Sequence, residues 1–234
     1  MKYAIIAAGE GSRLAQEGVS LPKPLVRVGD EHLIDRLIRI FADNGASEVI
    51  VICRSMDQVG THLQQLADQS DVPLRFIVKA TPSSMHSFFE LSPFLGDEPF
   101  VLTTVDTVFR ESEFTCYVAA FRQMIQKGEA DGLMGVTDYI DDEKPLYVKA
   151  GEDGRIQAFL DDDPQPHFIS AGIYGLTPRA LATLSRCMER GESRMRNFQR
   201  ALIADGLRLH VFPFTNVFDI DHVSDIQKAE SFLR

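Results

Sequence analysis

Short apolar runs recur through the first 105 residues of the chain. The first, Tyr3–Ala8, leads directly into a glycine-containing turn. Continuous apolar runs of this length are typical of strands that are buried on both faces of a parallel sheet. The chain repeats the pattern in three further runs, which are Glu48–Cys53, Leu74–Val78 and Phe100–Thr104. We therefore predict four buried strands in this part of the molecule.

Amphipathic segments lie between these runs. In Leu33–Asn44 the apolar residues Leu33, Leu37, Ile40 and Phe41 share one helical face, and Gly45 follows where the helix should end. Residues 56–68 and 112–127 have similar helical spacing. Strands that alternate with helices predict an α/β fold with a mixed, mostly parallel central sheet and helices on both faces.

The pattern changes after residue 130, where short strands follow one another. The predicted strands are Gly132–Thr137, Leu146–Ala150, Arg155–Phe159, Phe168–Leu176 and Leu207–Pro213. The predicted helices begin at Pro178 and cover Arg194–Ala204 and residues 222–233. We interpret residues 1–234 as one domain with two halves, which are about 1–130 and about 131–234.

Charge and composition restrict the possible partners. The 34 acidic and 24 basic residues give a formal net charge of −10, which argues against nucleic acid or an anionic membrane as the main partner. No apolar run approaches the roughly 20 residues of a membrane helix. Three widely spaced cysteines, Cys53, Cys116 and Cys187, indicate buried reduced thiols rather than disulfides or a zinc knuckle. We expect a cytoplasmic protein.

A glycine-containing turn follows the first strand, in the segment Ala7–Leu14. Gly9 and Gly11 would let backbone N–H groups approach a phosphate. Leu14 stands where the dinucleotide fingerprint requires a third glycine, and no Gly-Lys-Ser/Thr follows. Taken alone, the glycines are therefore also compatible with an ordinary turn at a strand end.

A lysine between two prolines follows soon after, in Leu21–Leu25. Pro22 and Pro24 restrict the backbone on both sides of Lys23, and a rigidly held cation near a glycine loop suits phosphate binding. Considered alone, Lys23 is equally typical of a surface loop.

Together, these two motifs resemble the signature of the sugar-1-phosphate nucleotidyltransferases. The resemblance implies a Rossmann-like nucleotidyltransferase fold, with about 1–130 as the nucleotide-binding half and about 131–234 as the acceptor-binding half. It also implies that the loop and Arg13 hold a nucleoside triphosphate while Lys23 contacts the phosphates near the reacting centre. The corresponding nucleotide-binding residues are Ala8, Gly9, Gly11 and Ser12.

Further matches to the family lie along the chain. Asp106 follows a strand where the family has a metal-binding aspartate, and Asp219 in Val217–Asp221 matches the second one. The resemblance implies Mg²⁺ as the cofactor, and two carboxylates with phosphate oxygens suit that ion. Ile169–Gly175 is similar to the strand that lines the family's sugar site, which implies Ala171 and Gly172 as acceptor-binding residues. Without the other motifs, a helix cap for Asp106 and a cap or solvated turn for Asp219 would be the favoured interpretations.

The chain departs from the family pattern in three places. Val105 replaces the usual glycine before the metal-binding aspartate. The base-reading segment becomes Lys79–Phe89, where Ser84 permits a close approach but no base-reading residue is evident. The family's Glu-Lys-Pro becomes Asp162–Pro164, so we consider Lys149 as a substitute acceptor ligand or as a solvent-facing lysine.

The predicted activity is transfer of a nucleoside monophosphate from a triphosphate to a sugar 1-phosphate, with release of pyrophosphate. One alternative is a cytidylyltransferase that acts on phosphocholine or another small phosphorylated alcohol, because the acidic segment 161–163 could face a cation. Another is a non-catalytic nucleotide-sugar sensor. A nicotinamide dehydrogenase is disfavoured by Leu14. The base, the acceptor and the oligomeric state stay open.

Overall fold

The computed structural model describes residues 1–140, 144–163 and 167–234. Its strands are β1 (Lys2–Ala7), β2 (Arg27–Val28), β3 (Glu31–His32), β4 (Glu48–Cys53), β5 (Leu74–Val78), β6 (Phe100–Thr104), β7 (Thr107–Val108), β8 (Gly132–Thr137), β9 (Tyr147–Ala150), β10 (Ile156–Leu160), β11 (Phe168–Leu176), β12 (Leu209–Phe214) and β13 (Phe218–Asp219). Its α-helices are α1 (Ser12–Gln16), α2 (Leu33–Asp43), α3 (Gln58–Gln69), α4 (Ser84–Leu91), α5 (Glu111–Gln126), α6 (Arg179–Glu189), α7 (Met195–Ala204) and α8 (Val223–Leu233).

A nine-stranded sheet runs through both predicted halves of the chain. Its main path is β10-β9-β11-β6-β1-β4-β5, and β8 joins β11 to β12. Seven of the nine strands run in one direction, while β10 and β11 run against them. The expectation of a mixed, mostly parallel sheet is confirmed. The antiparallel β11 is the strand that joins the parallel front half to the second half.

The first strand shows why the molecule has two cores. Along β1, Tyr3, Ile5 and Ala7 face one hydrophobic cluster, and Ala4 and Ile6 face the other. This alternation follows from the two-residue period of a strand. Both sides of β1 are buried, so the strand is continuously apolar, as the sequence pattern predicted.

Helices cover the sheet on both sides. Buried side chains of α2, α3, α5 and α8 join the cluster that contains Tyr3, while those of α4, α6 and α7 join the cluster that contains Ala4. The predicted helices on both faces are therefore confirmed. The carboxyl ends of the parallel strands remain uncovered at one edge of this sandwich, where ligands commonly bind in open α/β sheets.

Helix α4 is the largest element that the sequence analysis missed, because that region was compared only with a base-reading segment. Ser83 caps it, since its hydroxyl accepts a hydrogen bond from the backbone N–H of His86 at 3.4 Å. Met85, Phe88 and Leu91 then form its buried face at helical spacing. The short elements α1, β2, β3, β7 and β13 were also missed, because two to five residues carry no readable period.

The three cysteines are free. Cys53 and Cys187 are buried as expected, but Cys116 is exposed on α5, which corrects the expectation for that residue. Among the helices of the described ranges, none has both the length and the apolar character needed to cross a membrane.

Candidate active site

A cleft of about 780 Å³ opens at the carboxyl ends of β1, β4 and β6. The loops that follow the parallel strands line it. Eight of the residues singled out from the sequence line it, and they are Ala8, Gly9, Gly11, Ser12, Arg13, Lys23, Ser84 and Asp106. Segments that are far apart in the chain therefore meet in one cavity.

Gly9 and Gly11 of the loop differ in whether the fold itself requires glycine at their positions. Gly11 has a φ of 61°, and a Cβ there would lie 3.1 Å from the Cβ of Lys23. The chain itself therefore requires glycine at this position. A Cβ on Gly9 would meet no atom of the described chain within 4 Å. The space beside Gly9 is open to a ligand.

Lys23 sits in a short 3-10 turn, Lys23–Leu25, and its side chain is 10% exposed. Its ammonium donates hydrogen bonds to the carboxylates of Asp106 and Asp221, the latter at 2.7 Å. Burial acts to lower the pKa of Lys23, but the charges of Asp106 and Asp221 outweigh it and hold the pKa above its usual value. The lysine is thus a fixed positive charge at the floor of the cleft.

Asp221 also binds Arg13. The guanidinium Nη1 of Arg13 donates to Asp221 Oδ2 at 2.8 Å, while Lys23 holds the other oxygen. Burial acts to raise the pKa of Asp221, but the Lys23 hydrogen bond and the two cationic neighbours keep it below its usual value. A chain of alternating charges, Arg13–Asp221–Lys23–Asp106, therefore lines the cleft.

The two aspartates implied as metal ligands lie on neighbouring segments. Asp106 stands between β6 and β7, and Asp219 lies on β13, paired with Thr107 of β7. The Thr107 hydroxyl donates to Asp219 Oδ1 at 3.3 Å. Asp219 lines a second cleft rather than the first, whereas Asp221 lines both.

Asp221 is a functional candidate to which the sequence analysis gave no role. The signal for it is the Asp-Ile-Asp spacing of residues 219–221, with Ile220 fully buried. Asp219 is exposed and Asp221 is half-buried, and the backbone turns between them, because the Asp221 N–H donates to the Asp219 carbonyl at 3.0 Å. Arg54, which lines the cleft and pairs with Glu10 at 3.0 Å, was also missed and carries no comparable motif.

The second cleft, of about 310 Å³, adjoins the first and shares Arg13 and Asp221 with it. It lies beside β11 and the start of α8. Of the predicted residues it contains Ala171 and Asp219. The rings of Tyr139 and Phe218, with centroids 5.1 Å apart, form part of its wall.

The rim of this second cleft is held by a pair of side chains. His222 Nδ1 and Glu17 Oε1 are hydrogen-bonded at 2.5 Å, and the backbone N–H of Val223 donates to Glu17 Oε2 at 2.8 Å. This hydrogen bond lowers the pKa of Glu17 and raises that of His222. The pair ties the end of α1 to the start of α8.

Two of the predicted acceptor residues line neither of these clefts. Gly172 lies in an irregular stretch of β11 with a φ of 70°, and a Cβ there would lie 3.4 Å from the Thr107 hydroxyl. It acts within the structure by letting β11 approach the Asp106 turn. Lys149 is exposed on β9 and pairs in register with Ala158. Its placement corresponds to the solvent-facing alternative.

Asp161, the first residue of the acidic segment 161–163, is anchored away from these clefts. The segment compared with Glu-Lys-Pro, Asp162–Pro164, follows it directly in the sequence. Asp161 binds Arg196 and Arg200 at 2.7 Å each, so α7 holds its carboxylate. The Pro164 position of the comparison lies outside the described residues. Asp161 therefore offers no free charge to a cationic acceptor.

Comparison with known proteins decides the family. The profile of the family described as "Nucleotidyl transferase" matches residues 2–234. The chain belongs to this family. The resemblance to sugar-1-phosphate nucleotidyltransferases is thereby confirmed, and so is the expectation of an enzyme of the transferase class.

Curated relatives of this nucleotidyltransferase are distant in sequence. A "Probable glucose-1-phosphate cytidylyltransferase" of Bacillus subtilis is 21% identical over an alignment 207 residues long, which covers 80% of this chain and 78% of the relative. A "Mannose-1-phosphate guanyltransferase" of Aspergillus oryzae is 27% identical over an alignment 224 residues long, which covers 91% of this chain but 58% of that one. The names differ in both base and sugar.

Solved structures match over the whole chain. A putative glucose-1-phosphate thymidylyltransferase from Bacillus anthracis superposes with a TM-score of 0.84 at 16% identity, covering 100% of this chain and 95% of that one. The CTP:phosphocholine cytidylyltransferase of Streptococcus pneumoniae gives 0.76 at 20% identity, with 100% and 99% covered. At these identities the likeness establishes the fold, which confirms the Rossmann-like nucleotidyltransferase prediction.

Proposed function

We propose that this nucleotidyltransferase transfers a nucleoside monophosphate from a nucleoside triphosphate to a sugar 1-phosphate and releases pyrophosphate. The observation that carries the proposal is the convergence of the glycine loop, Arg13, Lys23, Asp106 and Asp221 in one cleft. Such an arrangement combines open backbone groups, two fixed cations and two carboxylates, as phosphoryl chemistry requires.

The acceptor phosphate supplies its own nucleophile. With a second pKa of about 6, it is largely a dianion near neutral pH. Its oxygen forms a bond to the α-phosphorus of the triphosphate, and the bond from that phosphorus to the pyrophosphate oxygen breaks. No side chain needs to remove a proton, so catalysis depends on alignment and on neutralising charge.

The cations of the main cleft have distinct roles in this scheme. Arg13 and the N–H groups around Gly9 and Gly11 hold the triphosphate and stabilise the departing pyrophosphate. Lys23, which the fold keeps charged and stationary, reduces the repulsion between the two reacting phosphates.

The carboxylates of the main cleft fit a divalent cation. Asp106 and Asp221 converge on one ammonium and offer only oxygen ligands, the donor type that Mg²⁺ prefers. Bound phosphates would attract Arg13 and Lys23 and so weaken their ion pairs with Asp106 and Asp221. The two carboxylates could then bind another cation. We infer that Asp106 and Asp221 would hold Mg²⁺. Asp219, the second ligand that the family resemblance implies, is tested beside Asp221 below. Bound Mg²⁺ would neutralise charge on the phosphates.

The second cleft is suited to the acceptor, because it opens into the first at Arg13 and Asp221. Its volume of about 310 Å³ is of the size expected for a small ligand. The relatives from Bacillus subtilis and Aspergillus oryzae carry names that specify hexose 1-phosphates. We take a sugar 1-phosphate as the primary candidate for this cleft.

A second candidate acceptor is a phosphorylated amino alcohol such as phosphocholine. The second cleft presents the rings of Tyr139 and Phe218 together with the carboxylates of Asp219 and Asp225. Aromatic faces and carboxylates together attract quaternary ammonium groups. The solved phosphocholine enzyme from Streptococcus pneumoniae has the same fold.

One assay tests the proposal and separates the candidates. The protein is incubated with Mg²⁺, each of the four common nucleoside triphosphates and a panel of sugar 1-phosphates, inositol 1-phosphate and phosphocholine, and pyrophosphate release is followed. Release with a sugar 1-phosphate supports the primary proposal, and release with phosphocholine alone supports the second. Calorimetric binding of a nucleotide or nucleotide sugar without release by any pair would overturn both and favour the non-catalytic sensor.

A further inference from the structure

Two histidines and an aspartate meet on the side of the molecule formed by α2 and α3. His32 is the residue immediately before α2, Asp35 lies in the first turn of that helix, and His62 lies on α3. None of the three lines either of the clefts described above. The cluster therefore has no role in the proposed transfer reaction.

The three side chains point at one another. Asp35 Oδ2 lies 3.1 Å from His32 Nδ1, and Asp35 Oδ1 lies 2.6 Å from His62 Nε2. The two imidazole rings meet edge to face with centroids 5.2 Å apart. One ligand atom from each residue falls within a group whose members are all within 4.8 Å of one another.

We propose that His32, Asp35 and His62 form a binding site for a late first-row divalent metal ion, with Zn²⁺ as the ion to test. Two imidazole nitrogens and one carboxylate oxygen are a donor set that suits Zn²⁺ and its neighbours in the series, in contrast to the all-oxygen set that Mg²⁺ prefers. Three protein ligands leave one tetrahedral position for water.

The spacing of the donors is close to what zinc requires. Bonds of about 2.0–2.1 Å in a tetrahedral arrangement place ligand atoms about 3.3 Å from one another. The two measured separations to Asp35, 3.1 and 2.6 Å, are both shorter than that value, and all three ligand atoms lie within 4.8 Å of one another. Small side-chain rotations therefore suffice to form the site, and no backbone segment has to move.

Metal binding at this site changes only which ring nitrogen of each histidine carries the proton. In the hydrogen-bonded arrangement, each neutral imidazole donates its N–H to Asp35. To bind the metal, each ring carries its proton on the other nitrogen and presents a lone pair where the N–H was. No oxidant or other reactant is needed.

The site would join two parts of the chain that are 30 positions apart in sequence. His32 is the last residue of β3, in the β2–β3 hairpin that comes directly after the Lys23 turn, and the Leu33 N–H donates to the Val26 carbonyl at 2.9 Å. His62 belongs to α3. Bound zinc would thus fasten the segment that carries Lys23 to a helix of the sheet's outer layer and raise the stability of the fold.

The three side chains are accessible enough to exchange an ion and buried enough to be held in place. Their exposed fractions are 26%, 28% and 23% for His32, Asp35 and His62. Conservative changes at such partly exposed positions should leave the fold intact. This makes His32→Gln and His62→Gln usable variants, and His210→Gln on β12 is a matched control outside the cluster.

The test is a titration of the chelator-treated full chain with Zn²⁺, followed by calorimetry and by thermal melting. We expect one zinc per chain, and a rise in Tm of about 5–10 °C when free zinc exceeds the Kd a hundred-fold. Removal of a partner of a metal ligand commonly weakens binding about 10- to 100-fold, so His62→Gln or His32→Gln should weaken it at least as much. His210→Gln should bind as the wild type does.

The outcomes separate this site from other zinc-binding groups. Undiminished zinc binding in both His32→Gln and His62→Gln would overturn the proposal, as would a wild-type chain that binds no zinc at pH 7.5. Loss of binding in Asp106→Asn instead of the histidine variants would assign the ion to the main cleft, which also overturns it. The proposal is independent of the transferase activity, since its readouts are metal stoichiometry and Tm.

Discussion

The two clefts of this nucleotidyltransferase touch at Arg13 and Asp221 but are built in different ways. The main cleft rests on a backbone loop, fixed by Gly11 at positive φ, and on cations held by neighbouring carboxylates. The second is walled mainly by side chains from β11, β13 and α8. Backbone groups bind any triphosphate alike, whereas side chains can change the acceptor without disturbing the phosphate site.

Asp106→Asn should give the largest loss and should affect only the chemistry of the main cleft. We expect the turnover rate to fall about 10²- to 10³-fold, because the asparagine removes a charge from the metal-binding pair. Thermal melting should change little, since an amide oxygen can still accept the hydrogen bond of Lys23. The measurement is kcat with saturating substrates beside a melting curve.

Asp219→Asn and Asp221→Asn are the matched comparison. A larger loss in Asp221→Asn would assign the second metal carboxylate to the residue that shares Lys23 with Asp106. A larger loss in Asp219→Asn would assign the second metal carboxylate to Asp219, as the family resemblance implies. Turnover like that of the wild type in Asp106→Asn would contradict the metal assignment altogether.

Gly9→Ala and Gly11→Ala should separate ligand contact from fold. Gly9 has open space where a Cβ would lie, so its replacement should raise the KM for the triphosphate about ten-fold and leave stability unchanged. Gly11→Ala should in addition lower the free energy of unfolding by about 1–2 kcal/mol, because alanine is strained at a φ of 61°. Denaturant unfolding and initial rates measure the two effects. Equal destabilisation by both variants would refute the distinction.

Tyr139→Leu should act on the second cleft alone. The leucine keeps an apolar wall but removes the phenol and its ring face. We expect the KM for the acceptor to rise three- to ten-fold, because the loss of one net hydrogen bond or ring contact has about that effect on binding. The KM for the triphosphate should not change. A rise in the triphosphate KM instead would show that the two clefts do not divide the substrates as proposed.

Glu17→Gln should have the smallest effect, and it should depend on pH. The raised pKa of His222 stabilises the fold fully below the ordinary value of 6.5 and ceases to do so as the pH rises through the raised value. The lowered pKa of Glu17 likewise means that its carboxylate stabilises the fold above the ordinary value of 4.5. That stabilisation is lost as the pH falls through the lowered value. The difference in Tm between wild type and variant should therefore be greatest between about pH 4.5 and 6.5. It should not exceed about 4 °C, because both groups are exposed. A difference that is constant with pH would show that the pair does not titrate as a unit.

Most of the scaffold was predictable because its elements are long and their burial is two-sided. β4, β6, β8 and β11 match their predicted bounds in full, since each is a largely buried apolar run. β5 also matches its predicted bounds, but it ends the sheet path and its residues are only partly buried or exposed, which corrects the expectation of a buried strand there. The predicted strand Leu146–Ala150 and the predicted helix 112–127 shift by a single residue at their ends, where hydrogen bonding rather than hydrophobicity decides.

The site was predictable where chemistry is carried by a contiguous motif. The residues of the loop and Lys23 are close in sequence, and the fold brings them together in the main cleft. Asp221 gained its role only from tertiary contacts with Arg13 and Lys23, more than 190 positions away. Lys149 had no motif behind it, and exposure on β9 leaves it outside both clefts. Side chains that meet through distant loops leave no local pattern to read.

Arg13 and Asp221 line both clefts, so a ligand bound in one cleft would change the charges that face the other. Under the proposed function, a triphosphate that engages Arg13 and Lys23 would weaken their hold on Asp221 and so alter the charge that an incoming acceptor meets. Thermodynamic linkage requires the reverse effect to be of equal size. Binding of the two proposed substrates would therefore be coupled through the charge of Asp221.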